Sequence, residues 1–180
     1  MKRFFDLVVA FVTILMVFPI ASFIFLVSSI DTSSNGLFLQ KRVGQYGKLF
    51  TIYKFKTVHP KTRKISGIGR FLRKSKLDEL PQLINVLKGE MTFVGPRPDI
   101  PGYYDQLQGE DRKVLNLKPG ITSEASIKYR NEEQLLANQS NPLKYNDEVL
   151  FPDKVKMNLE YYYHQSLATD IKIIIKTIFQ

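Results

Sequence analysis

The sequence predicts a helix-rich α/β domain attached to a membrane through its N-terminal segment. Three observations predict it. The stretch from Leu7 to Ile30 is a run of twenty-four residues without a charged side chain, enough for a helix to cross a hydrocarbon layer of about 30 Å. Leu37–Arg42 and Lys48–Val58 read as two strands of a β-hairpin around the turn residues Gly44 to Gly47. Apolar residues then recur at helical spacing after Ser75 and again in the tail. Residues 1–35 are expected to form the membrane-embedded segment and residues 36–180 one polar domain, a length that suffices for a compact core.

The N-terminal run admits three readings. A cleaved signal peptide fits Lys2-Arg3 before an apolar stretch, but Asp6 interrupts the basic region and the run is long. A straight transmembrane anchor is the default for such a segment. A re-entrant helix hairpin is the third, with its break at Phe18-Pro19. Proline there removes a backbone hydrogen bond and kinks a helix. Lys2 and Arg3 precede the run while Lys41, Arg42 and Lys48 follow it. Positive residues favour the cytoplasm, and a single crossing cannot keep both ends there.

After Ile30 the composition turns polar. Asp31 to Gly36 reads as a turn, and the hairpin follows; His59-Pro60-Lys61-Thr62-Arg63-Lys64 is a basic loop, suited to solvent or to anionic lipid head groups. Leu80, Leu83, Ile84 and Leu87 fall at i, i+3, i+4 and i+7, the apolar stripe of a core-facing helix, with Gln82, Asn85 and Lys88 on its other side. Ser75 or a neighbour caps it, Pro81 fits only its first turn, and Gly89 stops it. A strand over Met91–Val94 and the rigid turn Pro96-Arg97-Pro98 come next. Asp111 to Leu117 reads as a further helix, and Glu132 to Asp147 as polar and irregular. In the tail, Val155, Leu159 and Tyr162 share one helical face, as do Ile171, Ile174, Ile175 and Ile178, with Lys172 and Lys176 opposite. Such stripes commonly face a core; a basic, isoleucine-rich helix also suits a membrane interface.

Asp78 and Glu79 stand at the expected start of the helix before Gly89, where free N–H groups and the helix dipole favour anionic charge. On its own an acidic first turn does no more than stabilise a helix. Here its setting is Leu77-Asp78-Glu79-Leu80-Pro81-Gln82-Leu83, then Asn85-Val86-Leu87-Lys88-Gly89, then Val94-Gly95-Pro96-Arg97-Pro98. This run closely resembles the signature of the bacterial sugar transferases, also called monotopic phosphoglycosyl transferases. Lys2-Arg3 with Asp6, Gln40-Lys41-Arg42-Val43-Gly44, Tyr53-Lys54-Phe55-Lys56-Thr57, Gly69-Arg70-Phe71-Leu72-Arg73-Lys74 and Lys118-Pro119-Gly120-Ile121-Thr122 resemble further parts of the family pattern. Beyond Thr122 the fit loosens. Many members continue with Gly-Trp-Ala-Gln and a Gly-Arg-Asn, where this chain has Ser123-Glu124-Ala125-Ser126 and Tyr129-Arg130-Asn131.

The resemblance implies a chemistry. The family moves a sugar phosphate from a UDP-sugar to a polyprenol phosphate such as undecaprenyl phosphate, through a covalent aspartyl intermediate, and releases UMP. By resemblance Asp78 is the nucleophile, Glu79 helps hold Mg²⁺, and Asp78 and Glu79 are the candidate metal residues. Arg97 contacts phosphate, Pro96 and Pro98 shape a uridine pocket, and Lys54 supplies a second phosphate contact. The resemblance further implies a re-entrant membrane helix and a catalytic domain at the cytoplasmic face of the bacterial inner membrane, where polysaccharide or glycoconjugate assembly begins. Many members carry Ser-Pro at the helix break; this chain has Phe18-Pro19.

Composition is compatible. There is no cysteine, hence no disulfide framework or thiol nucleophile, and the two histidines, His59 and His164, lack metal-ligand spacing. A formal charge of +9 calls for an anionic partner: a phosphorylated substrate, anionic lipid head groups or nucleic acid. No nucleic-acid-binding motif supports the last. Two rivals stay open, a membrane-anchored module that binds anionic ligands without catalysis, and a glycosyltransferase that releases UDP. The latter would normally carry an Asp-x-Asp element, which is absent. Neither the sugar nor the oligomeric state is fixed; a homodimer is one option.

Overall fold

The computed structural model describes residues 1–179. The chain forms two compact units, neither contiguous in sequence. One comprises Arg3–Arg42 and Leu49–Met91; the other comprises Met1–Lys2, Val43–Lys48 and the chain from Thr92 onward.

The first unit holds all of α1 (Lys2–Asp31) except its first residue, and the helix runs through Pro19 without interruption. Its buried positions lie near its ends: Asp6 and Ala10, then Ile24 and Ser28. Side chains between them, including Phe11, Leu15, Met16 and Phe18, are exposed. The helix closes at Gly36, whose N–H donates to Ser29 Oγ at 3.0 Å. A Cβ at Gly36 would lie 2.5 Å from Phe25 O, so only glycine permits this return. Strands β1 (Leu37–Val43) and β2 (Leu49–Phe55) pair as the predicted hairpin.

Helix α2 (Gly67–Lys74) is capped by Ser66, whose Oγ accepts from Gly69 N at 2.9 Å and donates to Asp31 Oδ2 at 2.7 Å. Its two glycines are poor helix formers, and the sequence reading did not assign it. Ile24, Phe55 and Leu72 form the buried cluster that joins α1, β2 and α2.

The helix expected from Ser75 divides in two. Lys76 adopts a left-handed conformation (φ 58°), Leu77–Glu79 form one 3-10 turn, and α3 (Gln82–Lys88) begins after Pro81. Gly89 ends α3 at φ 83°, as the sequence predicts. The predicted facing of α3 holds at Leu83, which is buried, and Lys88, which is exposed, and fails at three positions. Gln82 and Asn85, assigned outside, are buried, while Ile84, assigned to the core, is 48% exposed. Asn85 is drawn inward by hydrogen bonding: it donates to Thr51 O at 2.7 Å and accepts from Tyr53 N at 3.1 Å. Arg3 donates to Val86 O and Leu87 O, at 2.6 and 3.0 Å, satisfying carbonyls at the C-terminus of α3.

In the second unit, β3 (Thr92–Val94) and β4 (Gly120–Thr122) form a parallel pair, with Thr92 beside Gly120 and Val94 beside Thr122. A 3-10 segment, Asp111–Asn116, replaces the α-helix expected there. The polar stretch thought irregular holds α5 (Glu132–Ala137) and α6 (Pro142–Tyr145), preceded by the short α4 (Glu124–Lys128). Two longer helices follow, α7 (Phe151–His164) and α8 (Leu167–Ile178). Val43, Tyr104, Val114, Leu115 and Val155 make one buried cluster; Val94, Leu117, Tyr161 and Ile173 make another. On α8, Asp170 and Ile173 are buried and Ile174 of the predicted stripe packs against the second cluster, while Ile171, Ile175 and Ile178 are exposed.

Candidate active site

The acidic pair sits on the 3-10 turn and not in an α-helix, so the macrodipole argument does not apply to it. The turn is seated by its flanks: Leu77 and Leu80 pack against the Ile24–Phe55–Leu72 cluster. Asp78 between them is 7% exposed, and its Oδ1 is a buried oxygen with no hydrogen-bond partner. Burying an unsatisfied carboxylate oxygen costs free energy, so this position is not explained by stability.

Burial raises the Asp78 pKa above its ordinary value, and the neighbouring Glu79 charge pushes the same way. Lys54, Lys76 and Arg73 oppose that shift without cancelling it. Glu79 accepts from Lys54 Nζ at 2.8 Å, an ion pair that the sequence reading, which gives Lys54 a phosphate contact, does not anticipate. Lys54, Asp78 and Glu79 therefore form one constellation. Arg73 and Lys76 belong to its electrostatics and were not singled out from sequence; the signal was the basic run ahead of Asp78. Asn85 was missed for a different reason: its task, pinning the strand that carries Lys54, is tertiary.

Pro96, Arg97 and Pro98 belong to the second unit. Gly95 N donates to Thr122 O at 3.0 Å, and Gly120 N donates to Pro96 O at 2.9 Å. A Cβ on Gly95 would meet Lys118 O at 2.2 Å, so the two glycine-bearing motifs are in backbone contact. Val-Gly-Pro-Arg-Pro and Lys-Pro-Gly-Ile-Thr are thus one structural element. Val94 O accepts from Lys2 Nζ at 3.2 Å and from Tyr161 OH at 3.3 Å, and both donors also bond Asp170. Pro96 and Pro98 are buried while Arg97 is exposed. With Val43, Gly44 and Tyr104 they line a cleft of about 10 Å³, room for one water and not for a nucleobase.

Within the divergent segment, Glu124 accepts from Lys176 Nζ at 2.7 Å, and Lys128 and Tyr129 both donate to Asp153. These contacts join α4 to α8 and α7. His59 Nδ1 accepts from the N–H groups of Lys61 and Thr62, ordering the basic loop.

Comparison with known proteins places these residues in context. The family described as "Bacterial sugar transferase" matches residues 1–180. The galactosyl transferase CpsE of Streptococcus agalactiae is 33% identical over 98% of this chain and 41% of its own length. The sugar transferase EpsL of Bacillus subtilis is 32% identical over 99% of the chain and 85% of its own length. The UDP-glucose:undecaprenyl-phosphate glucose-1-phosphate transferase of Escherichia coli is 32% identical over the whole chain and 40% of its own length. The chain therefore spans about two fifths of the length of two of these relatives and most of the third.

Proposed function

This chain belongs to the bacterial sugar transferase family, and from that premise we propose that it transfers a sugar-1-phosphate from a UDP-sugar to a polyprenol phosphate. The observation that carries the reading is the buried, partnerless Oδ1 of Asp78 beside the Lys54–Glu79 pair. The name of the Escherichia coli relative, a UDP-glucose:undecaprenyl-phosphate glucose-1-phosphate transferase, supplies the substrate classes.

In the first step an Asp78 carboxylate oxygen attacks the sugar-bearing phosphorus of the UDP-sugar. The bond from that phosphorus to the bridging oxygen breaks, and UMP leaves with the electron pair. In the second, a phosphate oxygen of the polyprenol phosphate attacks the same phosphorus and Asp78 leaves as carboxylate. The products are UMP and a polyprenyl diphosphate sugar, with no net oxidation. Partial desolvation makes Asp78 more basic and hence more reactive once ionised, while Lys54, Arg73 and Lys76 offset its repulsion from an anionic donor. Arg97 offers phosphate a forked donor.

Two adjacent carboxylates, one with a free buried oxygen, fit a hard cation that takes oxygen ligands. Among the described residues no cluster of three or more metal-binding side chains occurs. Asp78 and Glu79 would hold Mg²⁺ together with substrate phosphate and water, the usual pattern for this ion. When bound, it neutralises charge on the diphosphate.

The reaction is assigned to the cytoplasmic face of the bacterial inner membrane, at the start of glycoconjugate assembly. Helix α1 is apolar enough and long enough to enter a bilayer. Arg3 at one end bonds α3 carbonyls and Asp31 at the other bonds Ser66, within one compact unit. That both ends are held to the same unit supports entry and exit of the segment on one membrane face, although α1 runs through Pro19 as one helix.

The test is to incubate detergent-purified protein with Mg²⁺, undecaprenyl phosphate and a panel of UDP-sugars, and to identify the nucleotide released. Asp78-dependent UMP is expected. Release of UDP would mean a glycosyltransferase, and silence across a broad panel a binding module.

A further inference from the structure

Helix α2 ends at Lys74 and the acidic turn begins at Leu77, so Ser75 and Lys76 make the whole connection between them. Ser75 Oγ donates to Phe71 O and Leu72 O, at 2.9 and 3.2 Å. Lys76 N donates to Arg73 O at 3.2 Å, and the last carbonyls of the helix are thereby satisfied. Lys76 O accepts from Glu79 N at 3.1 Å, so this residue also starts the turn that carries the acidic pair. It does both in a left-handed backbone conformation, φ 58° and ψ 13°. Glycine enters that region freely and asparagine tolerates it, whereas a lysine is strained there. Ser33, Tyr46 and Arg63 also have positive φ, but none of them adjoins the acidic turn in the chain.

Backbone geometry therefore does not account for a lysine at this position. Its side chain does not pack either, because Lys76 is exposed. Among the described residues its ammonium has no hydrogen bond or ion pair, whereas Lys54 is committed to Glu79 at 2.8 Å. The Lys76 charge still acts on the buried carboxyl of Asp78, two residues further along the chain. Strain held beside a reactive group points to function more than to folding. We propose that the Lys76 ammonium contacts a phosphate of the UDP-sugar donor, and that its strained backbone is tolerated for that contact. The inference rests on the transferase reading above.

Exposure selects the donor over the acceptor. A UDP-sugar reaches the site from water and carries a charged diphosphate, while a polyprenol phosphate is delivered by the membrane. A solvent-facing point charge aids encounter and binding more than bond breaking, and salt screens it. Lys76 is thus assigned to donor binding, apart from the chemical step at Asp78.

The test compares two variants of the whole protein. Lys76→Gly removes the ammonium and relieves the backbone; Lys76→Arg keeps both the charge and the strain. Calorimetric titration with UDP and Mg²⁺ should show the Kd of Lys76→Gly raised about tenfold at low ionic strength, with the gap narrowing as salt is added. Lys76→Arg should stay close to wild type. In turnover, the UDP-sugar KM of Lys76→Gly should rise by a similar factor, with kcat and the acceptor KM nearly unmoved. Its thermal midpoint should rise by roughly 2–4 °C, where loss of a residue kept for folding would lower it. Unchanged UDP affinity, a rise confined to the acceptor KM, or a lower midpoint overturns the proposal. UDP binding needs no turnover, so the two readings fail separately. A wild-type protein that binds UDP through Lys76 yet releases no UMP from any donor would sink the transferase reading and leave the contact standing.

Discussion

The backbone N–H of Tyr53 donates to the side-chain Oδ1 of Asn85 across 3.1 Å, joining the strand that carries Lys54 to the helix that follows the acidic turn. Asn85 is fully buried and also donates to Thr51 O and to Glu90 Oε2. Asn85→Ala would leave the Thr51 carbonyl and Tyr53 N–H without this partner. A loss of roughly 2–4 kcal/mol is expected, read as a lower thermal midpoint and faster hydrogen exchange at the Tyr53 amide.

Asp78→Asn separates stability from catalysis. Removing the nucleophile should lower UMP release on the order of a thousandfold or more, with membrane association intact. The same change should raise the thermal midpoint. A carboxyl whose folded pKa is raised binds its proton more tightly when folded, so its burial penalty is absent below the ordinary value of 3.8 and grows as pH rises through the folded pKa. The advantage of asparagine should therefore vanish in acid and be complete at neutral pH. Wild-type turnover in this variant would sink the nucleophile assignment.

Glu79→Gln keeps the shape and removes the charge that Lys54 Nζ meets at 2.8 Å. Turnover should drop on the order of a hundredfold, with partial recovery as Mg²⁺ is raised. A variant insensitive to Mg²⁺ concentration would argue that Glu79 does no more than hold Lys54.

The topology of α1 is open to direct labelling because the chain has no cysteine of its own. Single Lys2→Cys and Lys48→Cys variants in sealed, oriented vesicles should react with an impermeant thiol reagent from the same side. Reaction from opposite sides would establish a crossing helix and overturn the re-entrant reading.

The acidic pair, Lys54 and the Pro96-Arg97-Pro98 turn stand out through local pattern and family resemblance, and of these the structure joins Lys54 to Glu79. A charge-free run or a glycine-flanked hairpin is written in neighbouring residues. What escaped was non-local. Asn85 looks like a solvent-facing polar residue because periodicity assumes that polar means outside; its buried bonds to Thr51 and Tyr53 reverse that rule. The same assumption put Ile84 in a core, where the structure leaves it exposed. Strand β4, three residues long, exists by pairing with β3 across an intervening stretch of 3-10 and loop structure, and three residues carry no period. The separation of Leu77–Glu79 from α3 depends on the left-handed Lys76, a conformation lysine seldom adopts and composition does not announce.

Lys2 and Asp170 are bonded across 168 residues of chain. At a synthesis rate of roughly 5–20 residues per second, the lysine emerges about 10–30 seconds before the aspartate that receives it. Helix α1 thus has time to reach the bilayer while the Val94 carbonyl, Tyr161 and Asp170 do not yet exist as a docking point. On the proposed membrane reading of α1, lipid insertion precedes closure of the Lys2–Tyr161–Asp170 knot. An unanchored chain would complete its fold only after its most apolar helix had waited, unprotected, in water.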